Sequence, residues 1–146
     1  MTKRALVAGA GGFIGHHLVS YLVSKGYWVR GVDIKEPEYE PSPAHEFELL
    51  DLRRFDNCLI ATRGMDQVIN LAADMGGIGY ITANHASLTR NNILINCHML
   101  EAARTAQVKR YLYTSSACVY PSFLQHDENV APLTEGDAIP ADPEKG

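Results

Sequence analysis

Three groups of residues in this chain have types and spacing suited to chemistry. The first is the run Gly9-Ala10-Gly11-Gly12-Phe13-Ile14-Gly15, which follows a short apolar segment and opens a stretch of helical periodicity. In that setting Gly9 permits a tight turn, Gly12 lets backbone approach a phosphate, and Gly15 lets the helix pack closely on the strand. A helix starting there offers free N–H groups and a partial positive charge to a pyrophosphate. Asp33 follows about 20 residues later, the interval at which a carboxylate accepts hydrogen bonds from adenosine ribose hydroxyls. It would also repel a 2′-phosphate, which favours NAD over NADP, although Arg30 and Lys35 nearby weaken that preference.

The second group is Asp74-Met75-Gly76-Gly77-Ile78-Gly79, a loop after a strand-like segment. Ligands of open α/β sheets bind beyond the carboxyl ends of the strands, so this loop should face a substrate. Its glycines either admit a close ligand or simply form a turn. The third is Cys118, just after Ser115 and Ser116. A thiol with a reference pKa of about 8.5 is close enough to neutrality to move protons once tuned. A single cysteine after a strand also serves as a small buried hydrophobe.

The elements that must position these residues alternate in type. Ala5 to Ala8 reads as a buried strand, and Phe13 to Lys25 as a helix with Ile14, Leu18, Tyr21 and Leu22 at apolar spacing, stopped by Gly26. Trp28 to Val32 is a second strand ending at Asp33, and residues 35–46 form a Pro- and Glu-rich loop. Phe47 to Leu50 is a third strand, Arg53 to Arg63 a helix and Val68 to Ala72 a fourth strand. Asn84 to Ala106 is a long helix with Ile93, Cys97, Leu100 and Arg104 along one side. Tyr111 to Thr114 is a fifth strand, and beyond Pro121 the pattern dissolves. Strands alternating with helices imply a parallel sheet with right-handed crossovers.

Composition narrows the function classes. The 146 residues suffice for one domain with a core, and hydrophobic and charged fractions of 46% and 21% are ordinary for a soluble protein. A net charge of -4 argues against nucleic-acid or anionic-membrane partners. No apolar run approaches the ~20 residues of a membrane span, and the N-terminus does not read as a signal peptide. Cys58, Cys97 and Cys118 form no pairing pattern, which suits a reducing cytoplasm. Adjacent His16 and His17 diverge on a helix, and His85, His98 and His126 lack ligand spacing, so no metal site is expected. Cys58, Cys97 and His98 read as packing or surface positions.

Taken together, these segments resemble the extended short-chain dehydrogenase/reductases, in particular the NAD-dependent epimerase/dehydratase family. The Gly-x-x-Gly-x-x-Gly turn with Phe13-Ile14 inside it is the first match. Asp51-Leu52 resembles that family's adenine-contacting pair, and Asn70-Leu71-Ala72-Ala73 its strand-four motif against the cofactor. Asn92 matches a helix asparagine, and Ser115-Ser116-Ala117-Cys118-Val119-Tyr120 the segment bearing the catalytic Ser/Thr. The resemblance implies a Rossmann-like doubly wound parallel sheet, of which the chain carries an N-terminal five-strand portion. It implies NAD as cofactor, held by Gly9, Gly12, Phe13, Ile14, Gly15, Asp33, Asp51, Leu52, Leu71, Ala72, Ala73 and Asn92. It further implies a nucleotide-sugar substrate and, at full length, a homodimer built on the long helix.

Within the family, Ala73-Asp74-Met75-Gly76-Gly77 and Ser115 to Pro121 look most like the members that epimerise GDP-mannose at C3 and C5. That likeness implies oxidation at C4 by NAD, which acidifies the C3 and C5 protons, and return of the hydride. Ser116 would bond the 4-oxygen and Cys118 exchange protons, with Met75, Gly76 and Gly77 beside the sugar. Dehydratases of the family carry Asp-Glu where Ala117 and Cys118 stand here, which disfavours that type; a 4-epimerase or 4,6-dehydratase-like relative on another sugar nucleotide, or a dinucleotide-binding module without chemistry, remain alternatives. The family's Tyr-x-x-x-Lys pair is expected past Gly146, with a sixth strand and a substrate domain, so residues 1–146 are expected to form an incomplete NAD-binding domain without turnover. Tyr21-Leu22-Val23-Ser24-Lys25 has the same spacing, but lies upstream of every other active-site element, with Tyr21 suited to core packing.

Overall fold

The computed structural model describes residues 2–38, 40–116, 119–124 and 132–139, with the Ser122 side chain also left out. The chain divides into two compact units, Met1–Tyr113 and Thr114–Gly146. The first carries β1 (Arg4–Ala8), α1 (Phe13–Ser24), β2 (Trp28–Asp33), β3 (Glu46–Leu49), α2 (Phe55–Thr62), β4 (Gln67–Asn70), α3 (Ile78–Ala83), α4 (His85–Thr105) and β5 (Arg110–Tyr113). All strand pairs are parallel, in the order β3-β2-β1-β4-β5. This is the doubly wound arrangement, with the order reversing between β1 and β4. In the second unit the described elements are the 3₁₀ turns Ser122–Leu124 and Glu135–Ala138. The latter is closed by a capping box in which Thr134 N–H and Oγ1 both donate to Asp137 Oδ2, at 2.6 and 2.8 Å.

β1 reads as a continuous apolar run because both of its faces are covered. Ala5 and Val7 point to a layer formed with Val19 and Leu22 of α1 and Val29 of β2. Leu6 and Ala8 point the other way, to Val68, Cys58, Ala61, Ile95, Met99 and Ala102. Asp66 ties the lower ends of the central strands: its N–H donates to Arg4 O at 2.9 Å, and its carbonyl accepts from Lys109 and Arg110.

α1 buries a face other than the one expected, and α4 buries one of its apolar sides and exposes another. On α1 the buried residues are Gly15, His16, Val19 and Leu22, while Ile14 and Tyr21 are exposed. Gly15 decides the rotation. A Cβ on Gly15 would stand 2.0 Å from Gly9 O, so only a glycine can face that turn, and Val19 and Leu22 follow it inward by helical periodicity. Tyr21 is therefore a surface residue, with Lys25 Nζ 5.3 Å from its ring, and not a core side chain. On α4 the buried stripe is Leu88, Asn91, Ile95, Met99, Ala102 and Ala103, while Ile93, Cys97 and Leu100 face out. Small Ala102 and Ala103 let α2 approach, and Thr62 Oγ1 of α2 donates to Ala102 O at 3.4 Å.

α3 was not foreseen in the glycine-rich loop. Its sequence IGYITA combines a glycine with β-branched residues, which form helix poorly by themselves. No described helix is long and apolar enough to cross a membrane.

The rotation of α4 yields a direct test in this chain. Met99→Ala should lower unfolding free energy by about 2–5 kcal/mol in urea, whereas Leu100→Ala should stay within about 0.5 kcal/mol of the parent. Equal effects would contradict the assigned face.

Candidate cofactor-binding site

The crevice lies where the strand order reverses, beyond the carboxyl ends of β1, β2 and β4. The turn leaving β1 is held against its neighbours by backbone bonds: Gly9 N–H and Ala10 N–H both donate to Val32 O, at 2.9 and 3.1 Å. Gly9 has φ +83°, and a Cβ there would stand 2.9 Å from Ala72 N and Leu71 C, so the position needs glycine twice over. Gly12 N–H bonds to Gly9 O at 3.2 Å, and α1 then begins. Its first turn has neither a capping side chain nor an acid. The first amides of α1 are therefore available to an anion.

Asp33, at the end of β2, is bound into the same turn. Its Oδ2 accepts from Gly11 N–H at 2.9 Å, and its Oδ1 from Ile34 N–H at 2.7 Å and Lys35 N–H at 3.3 Å. A Cβ on Gly11 would stand 2.3 Å from Lys35 O and 3.1 Å from Asp33 Cγ. Gly11 is thus a requirement of the site that the three-residue glycine spacing does not disclose. Three of its roughly four lone-pair sites are taken, and since Asp33 lines the crevice a ribose hydroxyl could donate to the one left.

Beyond β3, Asp51 is gripped by Arg53: Nε reaches Oδ1 at 2.8 Å and Nη2 reaches Oδ2 at 2.7 Å. This paired guanidinium holds the Asp51 carboxyl below the usual carboxylate range, against the opposing effect of its partial burial. Because its folded pKa is depressed, any stability from the pair is present above the ordinary carboxylate range and is lost as pH falls through the lowered value. Beneath it, buried Cys58 lies with Sγ 3.2 Å from Leu52 O. Burial, reinforced by the nearby Asp51 charge, pushes this thiol up to about 12, which makes it a structural donor and not a nucleophile.

These groups surround a cavity of about 550 Å³, a size ordinary for small-ligand sites. Of the residues singled out in the sequence, Gly9, Gly12, Asp33, Asp51, Leu52, Leu71, Ala72, Ala73 and Met75 line it. Gly15 shapes the turn from behind. Phe13 and Ile14 are strongly exposed; Phe13 borders a second, smaller depression with His16 and Glu40, which are 2.8 Å apart. Gly76, Gly77 and Asn92 are outside the cavity lining. Asn92 instead clamps the peptide of Asp74, its Oδ1 accepting from Asp74 N–H at 2.7 Å and its Nδ2 donating to Asp74 O at 3.1 Å.

Arg53, Asn91 and Tyr80 also line the cavity and were not anticipated. Arg53 was within reach of sequence reasoning, as a cation two positions after the adenine-pair aspartate. Ser116 belongs to the Thr114–Gly146 unit, where its carbonyl accepts from Val119 N–H at 3.2 Å. Cys118, with Ala117, lies outside the described residues. No cluster of three metal-ligating side chains occurs among the described residues. The glycine cradle, the uncapped helix start and the carboxylate fixed at the end of β2 fit a dinucleotide.

Comparison with known proteins agrees with this geometry. Residues 5–138 match the NAD dependent epimerase/dehydratase family. GDP-mannose 3,5-epimerase 1 of Oryza sativa subsp. japonica is 51% identical over 143 residues, covering 97% of this chain and 38% of that protein. GDP-mannose 3,5-epimerase of Arabidopsis thaliana is 46% identical over 140 residues, covering 94% of this chain and 37% of that protein. The chain thus spans well under half the length of these relatives. Among solved structures, a short-chain dehydrogenase/reductase superfamily protein from Agrobacterium tumefaciens with bound NAD superposes with a TM-score of 0.77 at 27% identity, covering 97% of this chain and 39% of that one. A UDP-galactose 4-epimerase superposes with a TM-score of 0.76 at 29% identity, covering 96% and 45%. The five-stranded doubly wound sheet, its glycine turn and its family match together place this chain in the NAD-dependent epimerase/dehydratase family.

Proposed function

We propose that the protein is a nucleotide-sugar epimerase that uses NAD and inverts GDP-mannose at C3 and C5. The observation that carries this reading is the 51% identity to the rice enzyme, which extends over 97% of the chain and so takes in both the Asp74–Gly77 loop and the Ser115–Tyr120 segment. The crevice supports it, because its polar groups sort by the parts of a dinucleotide. The amides at the start of α1 would hold the pyrophosphate, Asp33 the adenosine ribose, and Asp51 with Leu52 the adenine edge.

Bound NAD would supply reversible oxidation at the sugar C4. Next to a C4 carbonyl the C3 and C5 protons become acidic, and Cys118 would remove or return one of them as a member of an acid/base pair. Ser116 would donate a hydrogen bond to the 4-oxygen. Met75, Gly76 and Gly77 would border the sugar. We further propose a homodimer using the exposed Ile93, Cys97 and Leu100 side of α4, and a cytoplasmic location in keeping with three unpatterned cysteines.

Two measurements test this reading. In this chain, Asp33→Asn should weaken NAD about tenfold by titration calorimetry and narrow the preference over NADP, since a charge-assisted bond is replaced by a neutral one. Unchanged NAD affinity would remove Asp33 from the site. In the polypeptide extended to its relatives' length, NAD and GDP-mannose in D2O should place deuterium at both C3 and C5. Cys118→Ala should slow that exchange by about 10²-fold or more while NAD affinity holds. Deuterium at neither carbon would overturn the 3,5-epimerase reading.

A further inference from the structure

The loop that follows β4 ends in two adjacent glycines, Gly76 and Gly77, with a third, Gly79, in the first turn of α3, and such a segment is costly to hold in one conformation. It is nevertheless tied down at Asp74 by four hydrogen bonds. Asn92 clamps both polar groups of the Asp74 peptide. The Asp74 carboxylate is held separately: Asn91 Nδ2 donates to Oδ2 at 2.8 Å, and the Tyr80 hydroxyl donates to Oδ1 at 3.0 Å. Asn91 is buried on α4, so its bond is a fixed reference. Tyr80 comes from α3, on the far side of the loop, and so closes the loop on itself.

The Tyr80 ring makes a second contact within that closure. A Cβ on Gly76 would stand 2.7 Å from Tyr80 Cδ1 and 2.9 Å from Cγ, so the ring lies directly on the Gly76 backbone. Gly77 is different: a Cβ there would meet no heavy atom within 4 Å. The two adjacent glycines therefore answer to different demands. Gly76 is small because Tyr80 packs on it, whereas Gly77 borders open space.

We propose that Tyr80 is a positioning residue for the substrate loop, fixing the Asp74 carboxylate with its hydroxyl and seating Gly76 with its ring so that Gly77 is presented at a set height. This rests on the reading that the 74–77 loop borders the sugar. Tyr80 acts through Asp74, so the two substitutions should not add. Its hydroxyl donates to the Asp74 carboxylate, although Tyr80 also lines the cavity.

The experiment has two arms. In the 146-residue chain, Tyr80→Phe should speed amide hydrogen exchange of residues 74–79 about fivefold, with the β1 and β4 amides unchanged. In the polypeptide extended to its relatives' length, Tyr80→Phe should raise KM for GDP-mannose about fivefold, mainly without loss in kcat, and leave NAD affinity within about twofold. In an Asp74→Ala background the same substitution should have no further effect in either arm. Unchanged exchange at 74–79, additive effects, or weakened NAD binding on Tyr80→Phe would each overturn the proposal. If the extended parent protein places no deuterium on GDP-mannose, the substrate reading fails alone, and the exchange arm still decides the role of Tyr80.

Discussion

The absence of a side chain at Gly15 is the constraint from which the rest of the site follows. Gly9 O occupies the space where that side chain would start, 2.0 Å from an ideal Cβ. Any other residue would push α1 off the turn. With the glycine in place the helix sits directly on the end of β1, and its first amides point into the space where the sheet's strand order reverses. The same closeness sets the rotation of α1, which buries Val19 and Leu22 against Ala5, Val7 and Val29. One missing methyl therefore fixes the helix height, its buried face and the direction of its dipole.

The opposite wall of the crevice is held by polar contacts. Asn70, buried at the end of β4, donates through Nδ2 to Asn96 Oδ1 and to the Tyr111 hydroxyl, both at 3.1 Å, and accepts from Ala72 N–H at 3.2 Å. Ala72 and Ala73 thus line the cavity from a backbone whose turn is fixed by a side chain beneath it. Farther along, Asn92 repeats that device on the Asp74 peptide, while Asn91 donates to the Asp74 carboxylate. Amides serve well here because one side chain can both donate and accept, so a loop peptide is satisfied in both directions without adding charge.

These two walls differ in how plainly the sequence announces them. The glycine turn, the alternation of strands and helices, and Asp33 were legible because each rests on local sequence: left-handed φ at Gly9, a continuous apolar run in β1, a carboxylate closing β2. The buried faces of α1 and α4 were not. On α4, Ile93 and Leu100 carry a stronger apolar signal than Asn91, Ala102 and Ala103, yet the latter face inward. Their burial depends on what they meet, Asp74 in one case and α2 in the other, and neither contact is local. α3 was missed for a related reason, since its weak helix formers are held by Tyr80 reaching back to Asp74 and Gly76. Arg53 likewise becomes informative only once its guanidinium is seen to close on Asp51.

The charges of the crevice resolve an apparent conflict between a negative protein and a negative cofactor. Asp33, Asp51 and Asp74 all line the cavity. The two cations among them are engaged by acids, Arg53 with Asp51 and Lys35 with Glu38, whose Nζ–Oε1 distance is 2.5 Å. On the proposed reading a pyrophosphate would therefore rely on the amides of α1, whose partial positive charge is fixed by geometry and does not titrate. The carboxylate at Asp33 lies one strand away, committed to Gly11 N–H on one oxygen and to Ile34 and Lys35 N–H on the other. As a carboxylate it would accept from hydroxyl donors and repel a further phosphate. On the proposed reading, neutral donors would stand where the cofactor is anionic and an anion where it offers hydroxyls, while both cations lining the cavity are already paired with acids.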